Sequence, residues 1–348
     1  MRKSRIELLR IISMLMIVCL HYLSKGGALA MPTGELGING YLAWLVEAFC
    51  LVAVNSYVLI SGYFASPSSA TVKKVGKIWK QVWFYSVGIG VVAFFLGQRY
   101  SIYELMNLVF PTVTEHYWFA TSFLLLSLFA PFLQNGAEKM DKKSFQGILI
   151  GLLLFSSIAK TVLPVHLPWD KLGYDVIWFV TLYITGMYLK KFGIPQILQK
   201  RNHALFMYIC CELLIFCSML LIRQIYLQTG KLADFISYGY SYNFFFCYLG
   251  AIGLFLFFLQ GKEVAEPARG MIHTLGGATF GVYLIHEHQS LRYQWPVWFS
   301  CETIIEKRPL LFILHMIGTV VVVYLCCTVI ELLRQRIWSV FTERKIGE

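Results

Sequence analysis

Apolar residues run along this chain in long blocks, separated at short intervals by clusters of charge. The blocks fall near 6–24, 40–64, 79–97, 118–135, 145–163, 175–192, 204–224, 242–260, 276–290 and 310–333. Each approaches the roughly 20 residues that a helix needs to cross a bilayer core. The pattern predicts an all-α fold: a polytopic integral membrane bundle of about ten helices, in one membrane-embedded domain over 1–348. The third and ninth blocks are the shortest or the most interrupted by Gly and polar residues. Loops are short, and the longest, near 25–40, 98–117 and 291–309, are the natural places for substrate contact. No internal repeat or low-complexity segment is visible.

Composition supports this reading. Hydrophobic residues make up 57% of the 348 and charged residues 14%, against about a quarter charged in a soluble domain. The net charge of +11 would suit nucleic acid if it formed a patch. It is instead spread between the blocks: Arg2, Lys3, Arg5; Lys73, Lys74, Lys77, Lys80; Lys139, Lys142, Lys143; Lys190, Lys191, Lys200, Arg201; Arg334, Arg336, Arg344, Lys345. With the N-terminus inside, the outer loops carry only Lys25, Arg99, Lys171, Arg223, Lys231, Arg292, Lys307 and Arg308. That bias predicts both termini in the cytoplasm. Cysteines lie mostly inside apolar blocks and none has C-x-x-C spacing, so they read as small buried hydrophobes.

Candidate chemistry begins in the first block. Glu7, Arg10, Met14, Ile17 and His21 follow at intervals of 3, 4, 3 and 4, which puts them on one helix face. Arg10 and His21 are then about 16 Å apart along the axis, and Glu7 is placed to pair with Arg10. Ionisable groups inside a membrane are costly and are functional candidates by default. The plainer reading has Arg10 reaching the headgroups and His21 sitting at the opposite interface. Glu47, Glu115, His116, His286, Glu287, His288 and His315 map to the same side as His21 and could orient it or hold an acceptor. Glu212 is mid-block in the seventh and should face the bundle interior. There is no His-x4-Asp and no phosphate-binding G-x-x-x-x-G-K-[ST] loop. His286 and His288, two apart, leave a helix on different faces, so no metal site is expected.

Arg10 and His21, with ten residues between them, match an Arg-x10-His signature. Together with Arg5-Ile6-Glu7-Leu8-Leu9-Arg10-Ile11-Ile12, Val54-Asn55-Ser56-Tyr57-Val58-Leu59-Ile60-Ser61-Gly62-Tyr63-Phe64, His116-Tyr117-Trp118-Phe119 and Phe280-Gly281-Val282-Tyr283-Leu284-Ile285-His286, it resembles the membrane acyltransferase-3 family. Members of that family O-acylate bacterial polysaccharides, antibiotics and other acceptors. The resemblance implies acyl-CoA, with acetyl-CoA the leading form, as donor substrate and no bound cofactor. It also implies a role for His21 in acyl transfer and a basic motif at the third span that holds CoA, commonly Arg-x-x-Arg. Here that region reads Lys74-Val75-Gly76-Lys77-Ile78-Trp79-Lys80, so the matching pair is 74/77 or 77/80. Lysine neutralises phosphate without the bidentate fork of arginine. Arg10, Lys74, Lys77 and Lys80 are thus the expected donor-binding residues.

The expected function is transfer of an acetyl or other short acyl group from acyl-CoA to a hydroxyl of a cell-envelope glycan or related acceptor. The expected location is a bacterial cytoplasmic membrane, with the lipid bilayer and not nucleic acid as partner. A transporter or flippase for a glycan or lipid intermediate is the second expectation.

Overall fold

The structure is a computed structural model that describes residues 3–66, 72–163 and 165–344, with side chains to 339. Arg2 and Lys345 of the charge clusters lie outside the described residues. The helices are α1 (Ser4–Lys25), α2 (Ile38–Tyr63), α3 (Val72–Phe95), α4 (Ile102–Val109), α5 (Trp118–Lys139), α6 (Lys142–Leu153), α7 (Ala159–Val162), α8 (Val176–Phe192), α9 (Arg201–Thr229), α10 (Phe245–Leu259), α11 (Ala268–His286), α12 (Gln294–Trp298) and α13 (Pro309–Arg344). A π-helical turn, Leu154–Ile158, joins α6 to α7. No strand occurs among the described residues.

Every predicted block falls on a helix. Seven of these segments are long and apolar enough to cross a membrane, α6 and α7 counting together. The others are α8 and α10, with 17 and 15 residues, and α11, which carries Arg269 and His273 near its start. Polar caps set several boundaries. Ser101 and Glu104 form a capping box at α4, and Asp141 and Asp175 accept main-chain N–H bonds at the starts of α6 and α8.

Burial divides the helices into centre and rim. In α1 and α2, 67% and 72% of the apolar window is buried, against 22% in α3 and 28% in α9. α1 packs against α2, α10, α11 and α13. The rim helices turn large apolar side chains outward, among them Phe94, Phe95, Phe129, Phe132, Leu214 and Val329. In water such a surface would aggregate; in a bilayer it matches its solvent. α2 and α8 cross most closely at Gly62 and Gly186. A Cβ on Gly62 would stand 2.1 Å from the Tyr183 carbonyl oxygen, and one on Gly186 would stand 2.6 Å from that of Leu59. Small residues at such a crossing let two backbones meet in lipid.

Hydrogen bonds sort the loops into two groups. At one end, Arg5 donates to the Gly261 carbonyl, Ser4 to Glu263, Gln260 to Leu198, Lys190 to Ala65, and Lys191 to Ala137 and Met140. At the other, Asn39 donates to Ile305, Arg223 to Pro32, Gln289 to Glu104 and Tyr238 to Val165. Successive loops alternate between the ends, as the charge pattern requires. The first group is the more basic one.

Two measurements follow. Gly62→Val should force α2 and α8 apart and destabilise the fold by about 1–3 kcal/mol, read as a lower melting temperature in detergent. An unchanged melting temperature would mean that the crossing is looser than described. The charge bias further predicts that an impermeant maleimide labels Tyr103→Cys on intact cells and Lys142→Cys only after permeabilisation, in a background without reactive native cysteines. The reverse pattern would invert the orientation.

Candidate active site

The 3, 4, 3, 4 spacing in α1 has a physical counterpart: Arg10, Met14, Ile17 and His21 all line one cavity of about 290 Å³. Val54, Tyr57 and Ser61 of α2 form a second wall, and Gly276, Thr279, Phe280 and Tyr283 of α11 a third. Trp118, Phe119, Phe123 and Tyr242 close it on the remaining side. The lining is apolar and aromatic with a few polar groups, as in small-molecule sites generally. Arg10 and His21 stand toward opposite ends of it.

At the first end, the Arg10 guanidinium donates to Glu7 at 2.5 Å. Glu7 is 2% exposed, so the carboxylate is held inside the bundle by its cation. The Tyr57 hydroxyl donates to the Arg10 carbonyl at 2.6 Å and ties α2 to the same turn.

At the other end, His21 Nδ1 lies 2.9 Å from His286 Nε2. His286 Nδ1 lies 2.6 Å from the Val282 carbonyl oxygen. A carbonyl only accepts, so His286 Nδ1 carries its hydrogen and, in the neutral ring, Nε2 is the acceptor. His21 Nδ1 must then donate to it. This assignment from hydrogen-bond partners leaves His21 Nε2 with a free lone pair. His21 keeps 17% of its side chain accessible on the cavity wall. Glu287 Oε1 sits 3.4 Å from His21 Nδ1 and also accepts from the Lys25 ammonium. His21 Nδ1, His286 Nε2 and the Glu287 oxygen lie within 4.8 Å of one another, a spacing that three ligands of one cation could share. The Lys25 ammonium on that same oxygen opposes a second positive charge there.

The remaining candidates are distributed differently. His116 packs against His288, ring centroids 5.9 Å apart; burial and the nearby Arg292 charge lower it to about 3, so it is neutral at physiological pH. Glu115 is exposed, with φ of 54°. Neither it, His116 nor Glu47 lines the cavity. His315 accepts from the Tyr22 hydroxyl at 2.8 Å and donates to the Phe299 carbonyl, which fastens α1 to α13. Glu212 is fully buried, as expected of a mid-block acid.

The basic stretch of α3 forms a separate groove. Lys73, Lys77, Lys80 and Gln81 face Arg334 and Trp338 of α13 across about 570 Å³. The Lys-x-x-Lys pair in this wall is therefore 77/80, and Lys74 lies outside the lining. Ile78 belongs instead to the cavity of Arg10 and His21, so one turn of α3 serves both. Buried Glu331 fixes the groove. It accepts from Arg334 Nε and Nη2 at 2.8 and 2.7 Å, from Tyr85 at 2.5 Å, from Gln335 at 2.6 Å and from Gln81 at 3.2 Å. Sequence reasoning passes over Glu331 and takes Arg334 only as a topology charge, although an ionisable group inside an apolar block is the same signal that marks Arg10.

Residues 3–332 match the model of a family described as an acyltransferase domain. The chain therefore belongs to the membrane acyltransferase-3 family, and it is a multi-pass membrane acyltransferase. No curated protein and no solved structure matches it.

Proposed function

We propose that the protein moves an acetyl or other short acyl group from acyl-CoA to a hydroxyl of a cell-envelope glycan or related acceptor, in a bacterial cytoplasmic membrane, with His21 at the point of transfer. The observation that carries this reading is the relay from Val282 through His286 to His21. It fixes the tautomer in which His21 Nε2 is bare, at one end of a cavity whose other end holds Arg10.

A histidine oriented in this way is matched to proton transfer near neutral pH. In direct transfer, Nε2 takes the acceptor's hydroxyl proton while the hydroxyl oxygen bonds to the thioester carbonyl carbon. The C–S bond then breaks, and the proton passes from the imidazolium to the CoA sulfur. In the covalent route, Nε2 itself bonds to the carbonyl carbon and CoA leaves. The acceptor oxygen then bonds to the acyl carbon, the C–N bond to Nε2 breaks to restore the imidazole, and the hydroxyl proton passes to the CoA thiolate released in the first half. In both, positive charge develops on His21, and Glu287 at 3.4 Å is placed to stabilise it. His286 acts as a positioning residue.

The groove of Lys73, Lys77, Lys80 and Arg334 suits the phosphates of CoA, since four cations face one open space. Arg10 is then the cation nearest the path of the donor's arm toward His21. Lys74 has no place in this assignment. The transporter reading loses ground because the cavity's polar ends match a reaction centre with an oriented base.

His21→Ala should remove a general base and lower transfer by roughly 10²–10⁴-fold, more if an acyl-enzyme forms, while donor binding persists. Radiolabelled acetyl-CoA with purified protein and no acceptor would reveal that intermediate. A folded His21→Ala protein that transfers at the wild-type rate would remove His21 from the chemistry, and a wild-type protein that never cleaves acyl-CoA would restore the transporter.

Replacing Lys73, Lys77 and Lys80 together with Gln should raise the Michaelis constant for acyl-CoA and leave membrane insertion intact. Uniform binding of the phosphates is what those charges supply. An unchanged constant would assign the cluster to topology alone.

A further inference from the structure

Two loops at the His21 end of the bundle do not remain at its surface. The Tyr240 hydroxyl donates to the Trp44 carbonyl near the start of α2. Only two residues later, the Tyr242 carbonyl accepts from the Asn55 amide at 2.8 Å. Asn55 is roughly 16 Å further along α2 than Trp44, so the main chain at Tyr242 has entered the bundle. The loop between α7 and α8 follows it in: the Tyr242 N–H donates to the Leu172 carbonyl at 3.1 Å.

The second loop is forced into place. Gly173 has φ of 83°, and a Cβ there would stand 2.8 Å from Tyr242 Cβ and 2.9 Å from Asn243 N. Leu172 beside it has φ of 58°, a region that residues other than Gly, Asn and Asp seldom adopt. Asp170 holds the bend. It accepts from the Leu172 N–H at 2.8 Å, from Asn243 at 2.7 Å and from the buried Lys160 ammonium at 2.6 Å. Strain of this kind persists only where surrounding contacts over-determine it.

These contacts position Tyr174. Its ring centroid lies 4.4 Å from that of Trp118 and 4.9 Å from that of Tyr242. Trp118 and Tyr242 are themselves stacked, 5.5 Å apart at 22°, and both line the cavity that holds His21. Tyr174 is 45% exposed. The three rings thus lead from accessible surface to the reaction cavity. Irregular backbone at membrane depth is tolerated where it is buried in protein or lines water, and the exposed charge of Lys171 on the same loop calls for water here.

We propose that these loops line a water-filled vestibule in which Tyr174, Trp118 and Tyr242 form a stacking shelf for a sugar ring of the acceptor. A pyranose presents electropositive C–H groups to the negative face of an aromatic ring and keeps its hydroxyls at the rim. A purely apolar ligand would gain nothing from the wet approach. The shelf rests on the acyltransferase reading only in that the bound sugar's hydroxyl is the one acylated at His21.

The test is binding without turnover. Purified protein in nanodiscs is titrated calorimetrically with a panel of neutral, N-acetylated, deoxy and uronic trisaccharides. At least one should bind, with affinity reduced roughly five- to tenfold in Tyr174→Ala, the loss of one stacked ring, and kept in Tyr174→Phe. Melting temperatures show that each variant is folded. Absence of binding by every sugar overturns the shelf, and so does equal affinity in Tyr174→Ala and wild type. If the affinity of butyryl-N-acetylcysteamine falls in Tyr174→Ala while that of the sugars does not, the rings hold the acyl donor instead. Sugar binding by a wild-type protein that never cleaves acyl-CoA would keep the shelf and refute the acyl transfer.

Discussion

A polar or charged side chain inside a bilayer must find its partner within the protein, and α1 is where this protein concentrates that demand. Glu7, Arg10 and His21 sit on one face of a central helix. All three find partners within the bundle, as does the neighbouring Tyr22. Arg10 answers Glu7 along the helix, His286 of α11 answers His21, and His315 of α13 accepts from Tyr22 on another face. The packing of α1 against α2, α11 and α13 is in this sense set by polar pairing as well as by apolar contact. A helix with that face could not lie at the rim, where lipid offers no partners.

The same constraint explains the peripheral features. Glu331 is 1% exposed in a helix that otherwise turns apolar residues outward, and it is tolerated because Arg334, Tyr85 and Gln81 donate to it. Those donors come from α13 and α3, so one buried acid defines the spacing between two helices and the width of the groove they form. Lys160 plays the corresponding part at the other end, where its ion pair with Asp170 anchors a loop drawn into the bundle. Replacing such pairs by apolar residues is often neutral or stabilising, so what each contributes here is the geometry it imposes.

What was legible in the sequence follows from range. The face of Arg10 and His21 could be read because helical periodicity is local, and the alternation of loops because charge bias accumulates over the whole chain. The relay on His21 could not be read, since His286 lies 265 residues away and its tautomer depends on a main-chain oxygen, Val282. Lys25 looked like an ordinary loop charge until Glu287 was found beside it. The pairs 74/77 and 77/80 were indistinguishable by spacing, and only the groove shared with Arg334 of the facing helix tells which of them lines one wall. The ring contacts of Tyr174 depend on a strained bend at Leu172 and Gly173 that no propensity favours.

The His–His arrangement has a further consequence for charge. His21 Nδ1 has an imidazole nitrogen of His286 rather than a carboxylate as its direct partner, which suits an apolar cavity where an unpaired ion would be costly to bury. A carboxylate as direct partner would place its charge on the ring throughout. Here Glu287 stands back at 3.4 Å from His21 Nδ1 with Lys25 bound to it. The resting cluster is thereby balanced, and the carboxylate's field acts when His21 becomes cationic. Electrostatic help of that kind is worth more to the transition state than to the ground state, which is the condition for it to accelerate the reaction at all.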